Sequence, residues 1–534
     1  MLQKYGWIWI APLLLMLAVA ALYGQFLWNS IMFDDLQFFM MDNEGNQPVS
    51  GYHFSWFELR SLPYFTLAWT KAWFGLDLIY FRLGNLLLHA AVTIALFFFL
   101  AHLFGTIYGA RADTLLSSRA LAFCAALLFA LHPVAVYAAG YLVQRTIVMA
   151  TLFSLLAMLA YLHGSVRSKP LWLWASVPLY YLAVFSKEHA IMLPAVLLAL
   201  TVLLHDDWRA KIRQRWGVFA ALAVIALFVI AAKKGVLGSA YEPSAPEMLD
   251  AESGLSYPLS VLTQAWLFFK YAGLWLFPNP AWMSIDMREP FAQSLLSPFA
   301  LALVAFLAWG AGAFWLLSKR GRVGLIGLAM LFPWLMFMTE LSTVRIQESF
   351  VLYRSYLWAA GACCVLPLLL DVLEKRMAAI VVAAVALAMF PISMERLSSF
   401  GHPLLMWNDA EKLVKDKLDL PGVYRIYYNR GTELLKADKY DDAIKDLTLA
   451  TTLHPDWPFP YNNLGAAYMK KSEWRAAADA FTKAIDIAEK KKMGFNPKPY
   501  YGRAMAYETM GEIGKAREDY RVTCRLAKKG CEKL

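Results

Sequence analysis

Long apolar runs recur along most of the chain before residue 394. A bilayer core needs about twenty apolar residues per helix, and runs approaching that length occupy residues 6–28, 83–104, 121–137, 142–162, 171–185, 191–204, 216–232, 298–317, 323–338, 356–370 and 377–393. The whole sequence is 59% apolar and only 17% charged, against roughly 45–50% apolar in soluble domains. The pattern predicts an all-α, polytopic membrane bundle of about eleven transmembrane helices.

The basic residues between these runs predict the sidedness of the bundle. Cytoplasmic loops of membrane proteins are enriched in Lys and Arg. With the N-terminus in the cytoplasm, the even-numbered connections contain Arg111 and Arg119, Arg167 and Lys169, Arg209 with Lys211, Arg213 and Arg215, Lys319 with Arg320 and Arg322, and Lys375 with Arg376. This assignment requires that the apolar stretch 259–277 does not span, and that the first run is retained and not cleaved as a signal peptide.

That topology predicts where the protein and its two ends lie. We expect a multi-pass protein of the bacterial inner membrane, with a cytoplasmic N-terminus and a periplasmic C-terminal region. The net charge of +10 follows from the basic cytoplasmic loops, so a nucleic-acid partner is not expected.

A 34-residue period begins near residue 424, where the composition becomes that of a soluble protein. Gly431 and Gly465 lie one period apart, and small and large residues recur at the positions where two helices cross. These positions are Leu434 and Tyr468, Ala443 and Ala477, Leu447 and Phe481, and Ala450 and Ala484, with a third copy at Ala504, Tyr507, Ala516 and Tyr520 after an insertion near 490–496. The pattern resembles the tetratricopeptide repeat and predicts an α-solenoid of about three repeats.

The domain prediction is therefore a transmembrane domain at 1–398, a linker at 399–423 and a repeat domain at 424–534. Such arrays bind extended peptides on a concave face, or only rigidify or oligomerise the protein. Tyr427, Tyr461 and Tyr500 share one slot and suit packing between repeats. Amide and guanidinium groups pair readily with a peptide backbone, which makes Asn429, Asn462, Asn463 and Arg503 the candidates for acceptor binding.

Ionisable residues at the ends of apolar runs are costly and indicate function. In the predicted topology one such set faces the outside, and it comprises Asp34, Asp35, Arg60, His132, Arg145, Lys187, Glu188, Arg345 and Arg354. Each has a structural alternative. Asp34 and Asp35 equally suit a helix cap, Lys187 and Glu188 suit either a neutralising pair or a phosphate site, and a His-Pro pair such as His132-Pro133 commonly ends a helix.

Five stretches resemble a known family when taken in order. They are WFGLDLIYFRLGNLLLHAAVTIAL, ALHPVAVYAAGYLVQR, FSKEHAIMLPAVLLAL, FKYAGLWLFPNPAWMSID and LYRSYLWAAG, and they are similar to the transmembrane and tetratricopeptide-containing O-mannosyltransferases of the GT-C glycosyltransferase superfamily. The resemblance implies a GT-C-like bundle, a sugar donor linked to polyprenyl or dolichyl phosphate, and a catalytic acidic residue in the first external loop. That residue corresponds to Asp34 or Asp35. The string LYRSY departs from the Glu-Arg-Tyr-like string expected, so the sugar and the acceptor are not carried over.

The expected reaction transfers a sugar from the lipid-phosphate carrier to a Ser or Thr of a protein, with inversion. One carboxylate accepts the hydroxyl proton, with Asp34 preferred and Asp35 orienting or holding a cation, so that a divalent cation is a possible cofactor. Cations stabilise the departing phosphate. The donor-phosphate candidates are Arg145, Lys187, Glu188, Arg345 and Arg354, with Arg60 and His132 in support.

Three other functions remain open: transfer to a lipid or glycan acceptor, a non-catalytic scaffold that recruits envelope partners through its repeats, and a flippase. A flippase predicts charges near the middle of the bilayer, and the apolar runs contain few ionisable residues apart from histidines such as His89. Cys524 and Cys531 are predicted to form a disulfide in an oxidising compartment, unless a straight helix keeps the two thiols apart.

Overall fold

The computed structural model describes residues 2–40, 48–109, 117–232, 255–346, 348–370 and 372–534. Arg111, used above to assign a cytoplasmic loop, lies outside these residues. The chain divides into two compact units: Met1–Ile285 with Pro290–His402, and Asp286–Glu289 with Pro403–Leu534. The described residues form helices joined by turns and contain no β-strand, which confirms the all-α prediction.

The first unit is a bundle of helices. Its α-helices are α1 (Leu2–Tyr23), α2 (Asp35–Phe39), α3 (Ser61–Phe74), α4 (Leu78–Tyr108), α5 (Ser118–Ala130), α6 (Val136–Ala139), α7 (Arg145–Arg167), α8 (Pro170–Ser186), α9 (Leu193–Leu204), α10 (Trp208–Gln214), α11 (Trp216–Ala232), α12 (Ser256–Leu276), α13 (Phe299–Ser318), α14 (Gly321–Phe337), α15 (Ser355–Ala362), α16 (Leu366–Leu370) and α17 (Lys375–Ser399). Short 3-10 turns are Gly24–Phe26, Pro48–Ser50, Pro133–Ala135, Leu142–Gln144, Glu188–Met192, Pro280–Trp282, Glu340–Ser342, Leu352–Arg354 and Cys363–Val365.

Seven helices among the described residues are long and apolar enough to cross a membrane, or up to nine if each of two bent pairs forms one span. The bent pairs are α5 with Pro133–Ala139 and α10 with α11, and two shorter apolar helices are Pro170–Ser186 and Glu188–Leu204. Every predicted apolar run therefore has a helical counterpart. Helix α12, which overlaps the excluded stretch 259–277, is not among the candidate spans.

Burial differs between the inner and outer helices of this bundle. Helix α4 packs against α1, α5 and α7, and α7 packs against α8, so that Phe97, Leu100 and Leu103 of α4 are buried. Helices α13 and α17 are mostly exposed; Leu301 and Leu387 are both 74% exposed. Apolar residues on an outer face suit contact with lipid chains, where every backbone polar group must be satisfied within the helix.

The second unit contains α18 (Pro403–Val414), α19 (Val423–Lys436), α20 (Tyr440–Leu453), α21 (Pro458–Lys470), α22 (Trp474–Lys490), α23 (Pro497–Thr509) and α24 (Ile513–Ala527), followed by a turn at Cys531–Lys533. The segment 399–423, predicted as a linker, holds the helix α18. Its buried residues Met406, Ala410 and Val414 recur at helical spacing, and Glu411 pairs with Arg430 of α19 at 2.7 Å. The first hairpin of the array is thus covered by an extra helix.

Three helical hairpins follow, as the 34-residue period predicts. The small residues Ala443, Ala477 and Ala516 are almost fully buried, and so are the large residues Leu447, Phe481 and Tyr520. A Cβ atom on Gly465 would lie 2.8 Å from the Phe481 ring, which explains why the helix crossing needs a small residue there. This small-against-large packing is the contact on which the repeat prediction rested.

Candidate active site

The acidic pair lies directly after the first apolar helix. Phe33 adopts a left-handed conformation (φ 50°), and Asp35 begins the short helix α2. The Asp34 backbone N–H donates to the Tyr141 hydroxyl at 2.8 Å, and the Val143 N–H donates to Asp35 Oδ1 at 2.9 Å. The acidic pair is therefore attached to the turn that precedes α7, more than one hundred residues away in the chain.

The two carboxyl groups occupy different environments. Asp34 is half-buried, whereas Asp35 is 1% exposed and its Oδ2 has no hydrogen-bond partner among the described residues. Burial raises the pKa of Asp35 to about 7, although the charge of Arg82 opposes that shift. Asp34 is thus the more accessible of the two carboxyl groups, and Asp35 is the buried one, with a pKa near neutral.

Arg82 holds the loop that carries this pair. Its guanidinium donates to the backbone carbonyls of Asn29 at 2.8 Å, Ser30 at 2.5 Å and Gly140 at 3.0 Å. A buried arginine that binds carbonyl oxygens fixes the backbone in one arrangement, because each contact has a defined direction. Arg82 is a positioning residue that sequence reasoning missed; its place in the first turns of α4 beside an apolar run is the signal that was available.

A buried carboxylate, Glu340, organises the cationic part of the site. It follows α14 and is fully buried, with the Oε2 atom 3.2 Å from Arg345 and 3.1 Å from Arg354. The other oxygen, Oε1, is 2.9 Å from His189 Nε2. Glu340 was not predicted. The signal was a Glu at the end of an apolar run, followed closely by two arginines.

Lys187 lies next to this group in the turn between α8 and α9. Its ammonium donates to Gln144 Oε1 at 2.8 Å and to Thr146 Oγ1 at 3.3 Å. Burial, with the nearby charge of Arg60, lowers the pKa of Lys187 well below its usual range. Glu188, predicted as the partner of Lys187, accepts hydrogen bonds from Arg60 at 3.1 and 2.5 Å.

Two tyrosines connect the acidic pair with the cations. The Lys187 ammonium lies 4.6 Å from the centre of the Tyr353 ring, and the Arg354 guanidinium lies 6.0 Å from it. Burial raises the pKa of Tyr141 well above 10, and the charges of Asp34 and Asp35 and the Tyr353 phenol add to the shift. The arrangement thus brings Asp34, Tyr141, Tyr353 and Lys187 into one polar region at one end of the bundle.

Arg145 is engaged within the protein. Its guanidinium donates to Asn85 Oδ1 at 2.7 Å, Thr66 Oγ1 at 3.2 Å and the Phe81 carbonyl at 2.8 Å, and a Cβ atom on Gly84 would lie 2.7 Å from its Nη2. These contacts join α3, α4 and α7. Arg145 thus positions these helices, and its contact with a donor phosphate stays a prediction.

His132 is also used structurally. Its Nε2 lies 3.0 Å from the Trp275 carbonyl, its Nδ1 accepts from the Val134 N–H at 3.2 Å, and its ring stacks on the Trp275 indole with centroids 4.2 Å apart. It caps the turn that breaks the bent pair of helices, which is the alternative considered for a His-Pro sequence.

An apolar cavity of about 210 Å³ opens between α12, α13, α14 and α15. Its lining includes Tyr271, Trp275, Trp358 and Ser355, and the Trp275 indole donates to Ser355 Oγ at 2.9 Å. Two of the lining residues lie close to the polar region. Ser355 directly follows Arg354 in the chain, and the Tyr271 hydroxyl exchanges hydrogen bonds of 2.8 and 2.9 Å with the backbone of Val351. The cavity offers an apolar binding volume next to buried cations. Within the described residues no group of three or more His, Cys, Asp or Glu side chains could hold a metal ion.

The residues predicted to bind an acceptor in the array differ in their engagement. Asn463 donates to Thr432 Oγ1 at 2.9 Å and accepts from Asn462 at 3.1 Å, while Asn429 is half-buried. Arg503 forms two hydrogen bonds of 2.8 Å with Asp519 and one of 3.0 Å with Thr482. Arg503 therefore joins helices of the array, and its proposed contact with a peptide stays a prediction.

The insertion between the second and third hairpins builds a cavity of about 270 Å³. Phe459 and Asn462 of α21, Ile485 of α22, Phe495 of the insertion and Tyr500 of α23 are among its lining residues. Phe459 and Phe495 are 40% and 43% exposed, and Asn462 Oδ1 is buried with no hydrogen-bond partner in the described part of the chain. The array thus has an open, mainly apolar pocket with an amide in its wall.

The chain ends in a disulfide between Cys524 and Cys531, whose Cα atoms are 4.8 Å apart. A straight helix would separate these residues too widely for a bridge. Helix α24 ends at Ala527, and Lys528 and Gly530 then adopt left-handed conformations with φ of 51° and 77°. The two left-handed residues return the chain to the helix.

Comparisons with known proteins concern the repeats. Residues 424–456 match the tetratricopeptide repeat family. The mitochondrial import receptor subunit TOM70 of Homo sapiens is 31% identical over 103 residues, which is 18% of this chain and 16% of that protein. The Hsp70-Hsp90 organizing protein of Triticum aestivum is 34% identical over 67 residues, 12% of each chain. The chain thus matches less than a fifth of the length of these relatives, and it contains tetratricopeptide repeats together with helices that could span a membrane.

Proposed function

We propose that the protein is a membrane glycosyltransferase that moves a sugar from a lipid-phosphate carrier onto a polypeptide bound by its repeats. The observation that supports this proposal is the polar region at one end of the bundle. An accessible carboxylate, Asp34, shares that region with Lys187 and Arg354, and an apolar cavity adjoins it. The coarser statement, a membrane-associated protein with a repeat array of the protein-interacting type, does not depend on the proposal.

The donor's two chemical parts have matching surroundings. A lipid-linked sugar phosphate has an apolar chain and an anionic group. The cavity at Trp275 and Trp358 also includes Ser355, which directly follows the cation Arg354 in the chain. Charge-assisted hydrogen bonds to phosphate are roughly twice as strong as neutral ones. Lys187 donates to the neutral acceptors Gln144 and Thr146, so an incoming phosphate would not have to displace a carboxylate from its ammonium group.

The proposed reaction is a direct displacement. Asp34 accepts the proton of a Ser or Thr hydroxyl as its oxygen bonds to the anomeric carbon, and the bond from that carbon to the phosphate oxygen breaks. The lipid phosphate leaves with the electron pair, and Lys187 and Arg354 stabilise its charge. Attack from the face opposite the leaving group inverts the anomeric carbon. A single base suffices, in contrast to the pair of carboxyls that retaining hydrolases use.

A protein acceptor is favoured by the array. The names of its relatives describe a mitochondrial import receptor subunit and an Hsp70-Hsp90 organizing protein, and arrays of this kind present extended binding surfaces. The pocket at Phe459 and Phe495 offers an apolar site, and the Asn462 carbonyl an acceptor for a peptide N–H. The proposal places the helix bundle in the bacterial inner membrane and the repeat array in the periplasm.

The experiment that tests this function is transfer of labelled sugar from a polyprenyl-phosphate donor by the purified full-length chain. We expect Asp34→Asn to lower turnover by at least about a hundredfold, because general-base catalysis contributes roughly 10²–10⁴, while donor binding is kept. Asp77→Asn is the matched control: Asp77 is exposed and only caps α4 through the Ile79 N–H at 3.0 Å. Wild-type turnover by Asp34→Asn would contradict the assignment of the base.

A scaffold without catalysis is the second candidate, and the family match of the repeats favours it. It predicts that Asp34→Asn leaves the cellular function intact, whereas deletion of 403–534 abolishes it. The proposed enzyme predicts that both changes abolish transfer to the native protein. Transfer that persists in full without the repeats would instead favour a lipid or glycan acceptor.

A further inference from the structure

Another cavity, with both polar and apolar lining, lies at the end of the bundle opposite the acidic pair. It has a volume of about 380 Å³ and is lined near the C-terminal ends of α4 and α7 and the N-terminal ends of α5 and α8. The candidate active site lies at the other ends of these helices, near Arg82 of α4, Arg145 of α7 and Lys187 after α8. This cavity and the candidate active site therefore lie at opposite ends of these helices.

Four polar or amphipathic side chains meet in this cavity: His102, Arg119, His163 and Trp172. The His102 and His163 rings have centroids 5.6 Å apart, and the Trp172 indole meets the His163 ring edge-on with centroids 5.0 Å apart. His102 Nε2 is buried and has no hydrogen-bond partner within the described ranges. An imidazole nitrogen with no partner in an apolar wall is costly unless a ligand meets it.

The rest of the lining is apolar and comes from Phe97, Phe98, Ala101 and Leu159. The adjoining face is apolar too, since Leu171 is 79% exposed, and Trp172 and Trp174 are 45% and 50% exposed. An occupant therefore meets imidazole and guanidinium groups in the cavity and an apolar surface beside it. Tryptophan, moreover, is enriched at the level of lipid headgroups.

We propose that this cavity binds the phosphate of an anionic membrane lipid, with the acyl chains lying along α8. Phosphate oxygens are hydrogen-bond acceptors that suit both Arg119 and an imidazole N–H. Basic pockets between membrane helices recognise lipid headgroups in this way. The site is independent of the proposed transferase activity, because none of its residues belongs to the acidic pair or the Glu340 cluster.

The experiment titrates the delipidated full-length chain in detergent with dioctanoyl phosphatidylglycerol and counts bound lipid by native mass spectrometry. Two further probes each lack one half of the ligand: dioctanoylglycerol lacks the phosphate, and inorganic phosphate lacks the chains. We expect one tight phosphatidylglycerol site that Arg119→Gln weakens about tenfold through loss of a charge-assisted hydrogen bond. His163→Asn should weaken it as well, and neither partial probe should displace the lipid at tenfold excess.

Arg167→Gln is the matched control, because Arg167 ends α7 at the same end of the bundle, is exposed, and does not line the cavity. It should leave affinity within about twofold. Equal losses in Arg119→Gln and Arg167→Gln would reduce the effect to surface charge and overturn the site. Displacement of the lipid by inorganic phosphate alone would show that the cavity is a free-phosphate site. Dioctanoylglycerol that binds as tightly as the phospholipid would show that it is an apolar crevice. Either result overturns the proposal. If Arg119→Gln fails to fold, His163→Asn decides.

Discussion

The helix bundle and the repeat array both bury charged side chains, but they neutralise them in different ways. In the array, Arg430 pairs with Asp446 and Arg503 with Asp519, each sixteen residues apart and within one hairpin. In the bundle, Glu340 also pairs locally with Arg345 and Arg354. Other bundle contacts are long-range: Arg60 pairs with Glu188 across 128 residues, and Arg82 meets backbone carbonyls 52 to 58 residues away. Local pairs stabilise one hairpin, whereas long-range contacts hold the site in place only when several helices have assembled.

The array also shows that its ion pair is replaceable. The slot filled by Arg430 and Asp446, and again by Arg503 and Asp519, is filled in the second hairpin by Leu464 and Ala480, which belong to an apolar cluster. Replacing a buried pair with packed apolar residues is commonly neutral or stabilising, while removing one partner is costly. The Glu340 cluster does not belong to a repeat, so the chain offers no equivalent position at which apolar residues replace it.

The largest effect is expected at Glu340. Glu340→Gln removes the charge that Arg345 and Arg354 share, leaving two buried guanidinium groups less compensated, which costs about 3–5 kcal/mol. Denaturant titration in detergent micelles measures the loss. Glu348→Gln is the control: its side chain is 34% exposed and 3.9 Å from Arg354, so a cost below about 1 kcal/mol is expected. Equal losses of stability in Glu340→Gln and Glu348→Gln would show that the buried carboxylate contributes no more than the partly exposed one.

A smaller, pH-dependent effect is expected at Asp35. Its pKa rises from 3.8 to about 7 in the folded state, so the folded protein retains a proton that the unfolded chain has released. The contribution of Asp35 to stability therefore falls as pH rises from about 4 to 7 and is constant above. Asp35→Asn lacks that slope and should be more stable than the wild type at pH 8 by up to about 4 kcal/mol.

Unfolding at pH 5, 6, 7 and 8 measures this difference, with Asp77→Asn as the exposed control. A wild-type slope that Asp35→Asn leaves unchanged would show that another group titrates. If ionised Asp35 supports catalysis, the activity of the wild type rises with pH through about 7. The pH–activity profile of Asp35→Asn should lack this rise.

The smallest effect is expected from a double substitution in the array. Arg503→Leu with Asp519→Ala copies the Leu464 and Ala480 pair into the third hairpin and should change stability by less than about 1 kcal/mol, whereas Asp519→Ala alone should cost about 1–3 kcal/mol by leaving Arg503 unpaired. A double-mutant cycle on thermal unfolding measures the coupling. Additive losses would mean that Arg503 and Asp519 are not coupled, which would contradict the expectation that an apolar pair can replace them.

The difference between the two regions also explains what the sequence could predict. The apolar runs and the 34-residue period are local patterns, so the helices, the repeats and the small-against-large crossings at Ala443 and Leu447 could be inferred from them. The approach of Tyr141 to Asp34, and of His189 to Glu340 across 151 residues, depends on the tertiary arrangement. The protein partners of Arg145 and Arg503 were likewise not evident from the sequence, and the ligand contacts predicted for both residues stay predictions.

Charges within the apolar helices illustrate the same limit. Helix α4 begins at Leu78, before the predicted run at 83–104, so it includes Arg82, and α7 includes Arg145. Both arginines bind protein acceptors near the ends of their helices. Both lie in the first turns of their helices, at the end of the bundle that carries the candidate site.

The extra residues near 490–496 fall at a joint between hairpins and not inside one, and they line the pocket at Phe495. The crossings at Phe481 and Tyr520 lie on either side of this joint. Phe481 also packs across the joint against Ala506 of the third hairpin. A change in the length or composition of the joint would therefore alter the pocket and the packing between the two hairpins together. The shape of the pocket and the stacking of the second and third hairpins thus depend on the same stretch of chain, so neither can vary without the other.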